Sequence, residues 1–272
     1  MTTKTCRAAR PQARPHPIRQ LNRSRITASM RAAEALPHLL RNAAFFLYPP
    51  VCLLCSTMHQ NYRWLCASCL NTLRTSAKNR SACPRCSINK QHHLCACESA
   101  WDYDFEKIIA VWDFDDALQK IMHEIKYQDK KSLARSMGAL AAGMLGDSSF
   151  SSIQAIVPVP LFFLRLMKRG YNQSLQIAHG LTSALPNPPP LLASALRRVR
   201  HTRTQTKLDK AQRGKNLHNA FQVSQKLKPQ LKAKHVLLVD DVITTGATTS
   251  ECTRVLLQAG CSKVTVFSLA RA

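Results

Sequence analysis

Apolar positions along the chain follow two periods, and their succession predicts strands interleaved with helices. Residues 108–112, Ile-Ile-Ala-Val-Trp, form a short continuous apolar run of the kind a buried strand requires. Residues 118–127 and 133–145 repeat apolar side chains at helical spacing. Residues 153–159 form a second strand-like run, punctuated by Pro158 and stopped at Pro160. Residues 174–185 return to helical spacing and end at the breaker run Pro186-Asn187-Pro188-Pro189-Pro190. Residues 236–239 predict a strand, 248–259 a helix closed by Gly260, and 264–269 a final strand. Strands alternating with helices indicate a largely parallel α/β sheet.

The N-terminal stretch has a different texture. Ala35, Leu36, Leu39, Leu40, Ala43, Phe46 and Leu47 recur at helical spacing, with Pro37 near the helix start. They predict an amphipathic helix that packs on the body of the protein. Residues 1–30 are rich in Arg, Pro, Thr and Ser, and seven basic residues with no acidic one precede Met30. Too few apolar side chains are present to offset the entropy of ordering, so disorder is expected there. The segment has the Arg-rich, acid-free look of a transit peptide, and it can equally be a basic arm. The favoured expectation is that Met30 is the natural start.

Of the 272 residues 45% are hydrophobic, enough for one mid-sized domain with a small module. The expected division is a basic extension at 1–30, a helix and cysteine module at 31–98, and an α/β domain at 99–272. No apolar run approaches the roughly 20 residues that cross a bilayer. No secretory leader is evident, and the chain reads as cytoplasmic. The formal net charge of +24 changes the picture more. Without the tail it is still +17, because the tail carries seven of the positive charges. Such a balance favours polyanions, nucleic acid or multi-phosphate ligands among them.

Eight of the 11 cysteines fall in four close pairs: Cys52 and Cys55, Cys66 and Cys69, Cys83 and Cys86, Cys95 and Cys97. Thiolates at this spacing wrap tetrahedral Zn²⁺, and eight of them suffice for two structural four-thiolate sites. Two successive ribbons are the simplest topology; an interleaved pairing remains open at this level. His59, His92 and His93 are surplus to eight thiols and are expected at the surface. Cys252 and Cys261 are expected in the core. The module carries Arg63, Arg74, Lys78, Arg80, Arg85 and Lys90 and no acid between Cys52 and Cys97. With Tyr62 and Trp64 it suits nucleic acid, and a purely structural docking role fits equally well.

The densest chemistry follows the strand at 236–239. Asp240 and Asp241 come first, then Val242-Ile243, then Thr244-Thr245-Gly246-Ala247-Thr248-Thr249 at the start of a helix. Ligands of open α/β sheets bind at the carboxyl ends of strands. A helix N-terminus offers backbone N–H groups and a positive dipole end to a phosphate. Gly246 permits close approach, and the threonines supply hydroxyl donors. Carboxylates would repel a phosphate, so Asp240 and Asp241 suit ribose hydroxyls, directly or through Mg²⁺. A helix cap needs one such residue, and this run far exceeds it. The run DDVITTGATT resembles the signature of type I phosphoribosyltransferases. That resemblance places the two aspartates on the ribose and Thr244, Thr245, Gly246, Ala247 and Thr248 around the 5′-phosphate.

Two further tracts are basic. After residues 156–160, Ile-Val-Pro-Val-Pro, come Arg165, Lys168, Arg169, Gly170, Tyr171, Asn172 and Gln173. A strand end leading through a basic, Gly-containing turn to a helix is a second anion site, suited to pyrophosphate. Residues 197–234 hold 12 basic residues and one acid, Asp209. They suit either a mobile segment closing over a ligand or a phosphate-backbone track. Phe221 is their only aromatic residue, so base stacking from this segment is poorly supported. The PVP…KRGYNQS tract resembles the ComF family, as do Arg200, Thr202, Gln205, Leu208, Arg213, Asn216 and Phe221.

Taken with the cysteine pairs, the resemblance to the ComF family runs from about Pro49 to the last residue. It implies a type I phosphoribosyltransferase-like parallel sheet with helices on both faces, behind a small N-terminal double zinc ribbon. It implies phosphoribosyl pyrophosphate with Mg²⁺ as ligand, and Arg200, Thr202, Gln205, Arg213 and Asn216 on the flexible loop. It also implies cytoplasmic handling of single-stranded DNA in natural competence, beside other competence proteins such as helicase-like ones. The second reading is an active transferase acting on a base or amine. No aromatic or apolar clamp for an acceptor ring is identifiable. Glutamine-dependent transfer would need an amidotransferase domain, for which the cysteine module leaves no room.

Overall fold

The computed structural model describes residues 51–59, 64–95, 97, 103–127, 130–200 and 217–272, and the structural statements below concern these. The helix expected at 31–48 and the basic tail lie outside them. Pro50–Ala272 forms one compact unit.

Four strands make a parallel sheet in the order β1-β6-β5-β2. They are β1 (Lys107–Asp113), β2 (Ala155–Pro158), β5 (His235–Ile243) and β6 (Lys263–Arg271). Short strands β3 (Leu196–Arg198) and β4 (Phe221–Val223) pair antiparallel beside them. The strands of the parallel sheet are nearly continuous apolar runs because both faces are covered. Leu237, Val239, Phe267 and Leu269 point into one core; Val236, Leu238, Val264 and Val266 point into the other. Helices α2 (Asp116–Tyr127), α3 (Lys131–Leu145) and α5 (Gln173–Ala184) fill the first side. The short α6 (Lys228–Leu231), helix α7 (Ala247–Gln258) and the β3–β4 ribbon fill the second. Cys252 and Cys261 are both buried there, as expected.

Helices α3 and α5 pack too closely for side chains at their crossing. A Cβ on Gly138 would lie 2.2 Å from the Ile177 carbonyl oxygen, and one on Gly180 2.0 Å from that of Arg135. Glycine is required at both places by this backbone approach.

Both sheet edges are covered. The breaker run after α5 lies along β2: the Ile156 N–H donates to the Pro190 carbonyl, and the Leu192 N–H to that of Ile156 (2.9 and 2.8 Å). At β1 the cysteine module takes this role. The Ile108 N–H donates to the Arg85 carbonyl (2.7 Å) and the Ala110 N–H to Ser87 Oγ (3.0 Å). Arg80 reaches the Ala110 carbonyl (2.7 Å). An exposed edge would invite pairing with another chain, so these contacts are protective as well as adhesive.

One boundary matters for function. The strand expected to end at Val239 continues to Ile243, with Asp240 opposite Ser268 and Ile243 opposite Arg271. Pairing with the long β6 outweighs the weak strand preference of aspartate. The two carboxylates therefore sit on rigid strand rather than on a loop.

Candidate functional site

The carboxyl end of β5 presents the two aspartates to two helices, α2 and α5. Asp240 Oδ1 accepts from Ser174 Oγ at 3.1 Å and from the Asp241 N–H at 2.9 Å. Asp241 Oδ2 accepts from Lys126 Nζ at 3.0 Å and from Gln173 Nε2 at 3.3 Å, while its Oδ1 accepts from the Val242 N–H at 2.8 Å. Burial, and then the neighbouring Asp241 charge, push the Asp240 carboxyl up to about 7. Burial also acts to raise Asp241, but the Lys126 ammonium overrides it and holds that carboxyl below its ordinary value. The Lys126 pKa is raised in return, because the Asp241 charge outweighs the effect of burial. The pair thus resists carrying two full negative charges at once.

A stability prediction follows from Asp240. Its acid form persists in the fold to about pH 7 but is lost near pH 4 in the unfolded chain. The folded state holds the extra proton between those values, so stability falls as pH rises through that window. Asp240→Asn should abolish this fall and gain on the parent between pH 5 and 8, by on the order of 2 kcal/mol. Urea denaturation at both pH values measures it, and parallel losses in the two proteins would contradict the assignment.

Beyond Ile243 the chain turns through Thr244-Thr245-Gly246 into α7. Gly246 adopts φ 77° at the helix N-cap, where no side chain caps the first turn. The helix entrance therefore faces the cleft with backbone groups, as an anion site needs. Tyr103 holds the loop from outside, its hydroxyl donating to the Thr245 carbonyl at 2.7 Å. Arg271 donates to the Ile243 carbonyl at 2.9 Å and also contacts the Thr244 carbonyl.

The tract read as a second anion site differs from expectation. Arg165, Lys168 and Arg169 lie on a short helix, α4 (Phe163–Arg169), not on a turn. Gly170 takes the left-handed conformation that ends this helix, and it does not line the cleft. The residues that follow have structural tasks of their own. Tyr171 donates its hydroxyl to the Ile125 carbonyl. Asn172 caps α5 by accepting from the Ser174 N–H at 3.0 Å. Gln173 accepts from Arg169 at 2.6 Å and donates to Asp241, so it links the basic helix to the acidic strand. Of this tract, Gln173 thus serves the carboxylates, while Gly170, Tyr171 and Asn172 serve the fold.

These elements enclose a cleft of about 810 Å³. Asp240, Asp241 and residues 242–249 line it together with Arg165, Lys168 and Arg169. Lys126, Gln173, Ser174 and Arg198 complete it; of these the sequence marks Gln173, in the tract after Pro160, and Arg198, only within the basic run 197–234. Lys126 left one signal. It continues the apolar stripe Leu118–Met122 by one more turn of α2, where a cation is out of place without a partner. Arg198 is marked only by its charge within the basic run: its place on the three-residue β3, paired with β4, brings it to the cleft. Burial lowers the Arg198 pKa, and the Arg165 charge lowers it further. Five cations thus face two carboxylates in one cleft.

Of the flexible-loop residues, Thr202, Gln205, Arg213 and Asn216 lie outside the described residues. Arg200 does not line the cleft; it donates to the His218 carbonyl at 2.9 Å and so ties together the two ends of that segment.

The cysteines form two groups, Cys52, Cys55, Cys66, Cys69 and Cys83, Cys86, Cys95, Cys97, with all sulfurs of a group within 4.8 Å of one another. The pairing is therefore successive, not interleaved. A tetrahedral ion with Zn–S bonds of about 2.3 Å sets its sulfurs about 3.8 Å apart. Cys55 and Cys66 Sγ are 3.7 Å apart. Both sites open with the same knuckle. The Ser56 N–H donates to the Cys52 carbonyl and the Ser87 N–H to that of Cys83, each at 2.9 Å. Both serines have positive φ, 59° and 58°. The repeated Cys-x-x-Cys-Ser in the sequence was the sign of this internal repeat. His92 and His93 are exposed as expected. His59, expected at the surface, is half-buried, with both ring nitrogens shielded from solvent. Tyr62 and Arg63 lie outside the described residues.

Among the described residues no helix is long and apolar enough to cross a membrane. Residues 43–100 match the double zinc ribbon domain, and residues 148–272 match the phosphoribosyl transferase domain. The chain is 30% identical to competence protein F of Haemophilus influenzae over 232 residues, covering 81% of this chain and 96% of that protein. It is 30% identical to the DNA utilization protein YhgH of Salmonella typhimurium over 234 residues, covering 82% and 97%. A solved allosteric regulatory enzyme of purine biosynthesis aligns with 54% of this chain and 29% of its own at 21% identity and a TM-score of 0.36, too low to support any inference. With 30% identity spanning 81% of this chain and nearly all of its relative, the chain belongs to the competence protein F (ComF) family.

Proposed function

We propose that the cleft binds phosphoribosyl pyrophosphate with its Mg²⁺, and that the protein handles single-stranded DNA in uptake or use. The observation that carries the ligand reading is one cleft shared by two carboxylates, Asp241 buried and Asp240 half-buried, a helix entrance and a basic helix. Asp240 and Asp241 accept the ribose hydroxyls. Thr244, Thr245, Gly246, Ala247 and Thr248 hold the 5′-phosphate at the α7 entrance. Arg165, Lys168 and Arg169 meet the pyrophosphate, with Gly170 ending their helix. Arg200, Thr202, Gln205, Arg213 and Asn216 belong to the segment that closes over the ligand. Mg²⁺ prefers phosphate and carboxylate oxygens, which this donor set supplies, and it neutralises the pyrophosphate. The working division is the basic extension at 1–30, the helix and cysteine module at 31–98 and the ligand domain at 99–272.

The DNA reading rests on the names of the relatives and on the net charge of +24. It implies a cytoplasmic setting and other competence proteins, helicase-like ones included, as partners. Titration calorimetry with phosphoribosyl pyrophosphate and Mg²⁺ should show binding that the Asp240→Ala, Asp241→Ala double variant loses by at least tenfold, about 1.4 kcal/mol. Equal binding by the variant would overturn the assignment. One observation favours a transferase as the second reading: a carboxyl pushed up to about 7 is poised to move a proton at neutral pH. A pyrophosphate-release screen over bases and amines decides between binder and enzyme.

A further inference from the structure

Helix α4 has no buried residue, although most of its residues are apolar. Phe163, Leu164 and Met167 are 62%, 59% and 68% exposed. A helix normally presents such a stripe to a core, and here the stripe faces outward at the rim of the cleft. The ridge does not stop at α4. Its last residue, Arg169, lies over the ring of Tyr127, 5.8 Å from the centroid, and Tyr127 is itself 64% exposed. His123 stands 5.0 Å from the Tyr127 ring on the next turn of α2.

The charge around the ridge narrows its occupant. No acidic residue occurs between Asp147 and Asp209, a span that contains all of α4. A second copy of the chain would bring the same cations against these and add to the repulsion of a +24 protein. Seven residues of helix are only about 10 Å long, too short to lie stably in a lipid interface. Aromatic and aliphatic faces beside guanidinium and ammonium groups suit a chain of flat bases joined by phosphates.

We infer that the outer face of α4, with Phe163 and Met167 as base-contacting side chains and Lys168 on the phosphates, is the docking ridge for single-stranded nucleic acid. The inference rests on the DNA-handling reading and names its surface. Because Arg165, Lys168 and Arg169 also line the cleft, the strand passes the mouth of the ligand site.

Fluorescence anisotropy of the full chain with a labelled thymidine 20-mer at low salt tests it. Phe163→Ser with Met167→Ser should weaken binding roughly tenfold to a hundredfold. The slope of affinity against salt should stay as in the parent, because no phosphate contact is lost, whereas Lys168→Gln should reduce it by about one. Neither Phe163 nor Met167 lines the cleft, so calorimetric binding of phosphoribosyl pyrophosphate should be unchanged. An abasic strand should bind the parent as weakly as the thymidine strand binds the double variant. Parent-like thymidine binding by the double variant overturns the ridge while leaving DNA handling intact. Failure of the parent to bind any strand overturns both. Loss of binding to anionic phosphatidylglycerol vesicles, with strand binding unaltered, overturns the ridge in favour of a lipid surface.

Discussion

Stripping zinc from the reduced protein should lower its melting temperature by at least about 10 °C, and restoring zinc should recover it. Structural zinc is folding free energy, on the order of 10 kcal/mol per site, in a protein whose whole stability is expected to be about 5–15 kcal/mol. A loss of about 5 kcal/mol would by itself shift the melting point by roughly 10–20 °C. The effect reaches the sheet because the module is built into it. Cys52, Leu65 and Leu73 belong to the same buried cluster as Leu237 and Phe267. The Trp112 indole N–H donates to the Leu73 carbonyl at 2.9 Å. Arg80, with only 3% of its side chain exposed, joins Asp113 of β1 to the second knuckle, and Asn89 donates to the same carboxylate at 2.7 Å. With the metal gone, the thiols of each group crowd one another. Cys69 is pushed up to about 12 by burial and by its neighbouring thiols, so the sites cannot hold four thiolates unaided. Native mass spectrometry should find two zinc ions per chain. Calorimetry showing an unchanged melting point after full chelation would remove the module from the fold's energetics.

Lys126→Met should destabilise the protein by about 3–5 kcal/mol, the usual result of leaving one member of a buried ion pair without its partner. Lys126 and Asp241 side chains are 27% and 9% exposed, so water screens the pair little. The sign of the pH dependence separates this from simple loss of packing. In the parent, Asp241 is held below its ordinary value, so its contribution is present above pH 4 and is lost only as pH falls through the depressed value. Without Lys126, burial dominates and the Asp241 carboxyl rises like that of Asp240. The folded variant then takes up a second proton between pH 4 and 7, and its stability should fall with rising pH more steeply than the parent's. Lys126→Arg, which keeps the charge, should restore the parental slope. Equal slopes in Lys126→Met and parent would show that the ammonium does not set the state of Asp241.

The two predictions concern features that differ in how far they could be read in advance. Cysteine spacing is a covalent fact of the chain, and four pairs within 46 residues already specify two sites. Their pairing is not specified, because an interleaved and a successive arrangement use the same spacings. The ribbons resolve it by placing Cys66 at the N-cap of α1 (Ala67–Lys78), where its N–H lies 3.4 Å from Cys52 Sγ. The loop proposed to hold the phosphate was legible for a similar reason. Its strand, carboxylates, glycine and helix start are contiguous, and local chemistry needs no partner to be recognised.

The rest of the site is not contiguous. Lys126 stands 115 positions before Asp241, and Gln173 and Ser174 stand 68 and 66 before their partners. Each reaches the carboxylates only because α2 and α5 pack on the same face of the sheet. In the sequence the tract from Arg165 to Gln173 shows its charge and its glycine, but not that α4 carries its apolar side chains outward. Periodicity reports that a helix has an apolar stripe and is silent on what covers it. By itself the sequence determined the parallel α/β class, the zinc-ligand set and the strand–carboxylate–glycine–helix run at 236–249, since each is a matter of neighbours along the chain. The tertiary structure alone decided the cysteine pairing, the cation that governs Asp241 and the exposed ridge beside the cleft. Those depend on which elements burial brings together across large separations, and one-dimensional spacing does not encode that.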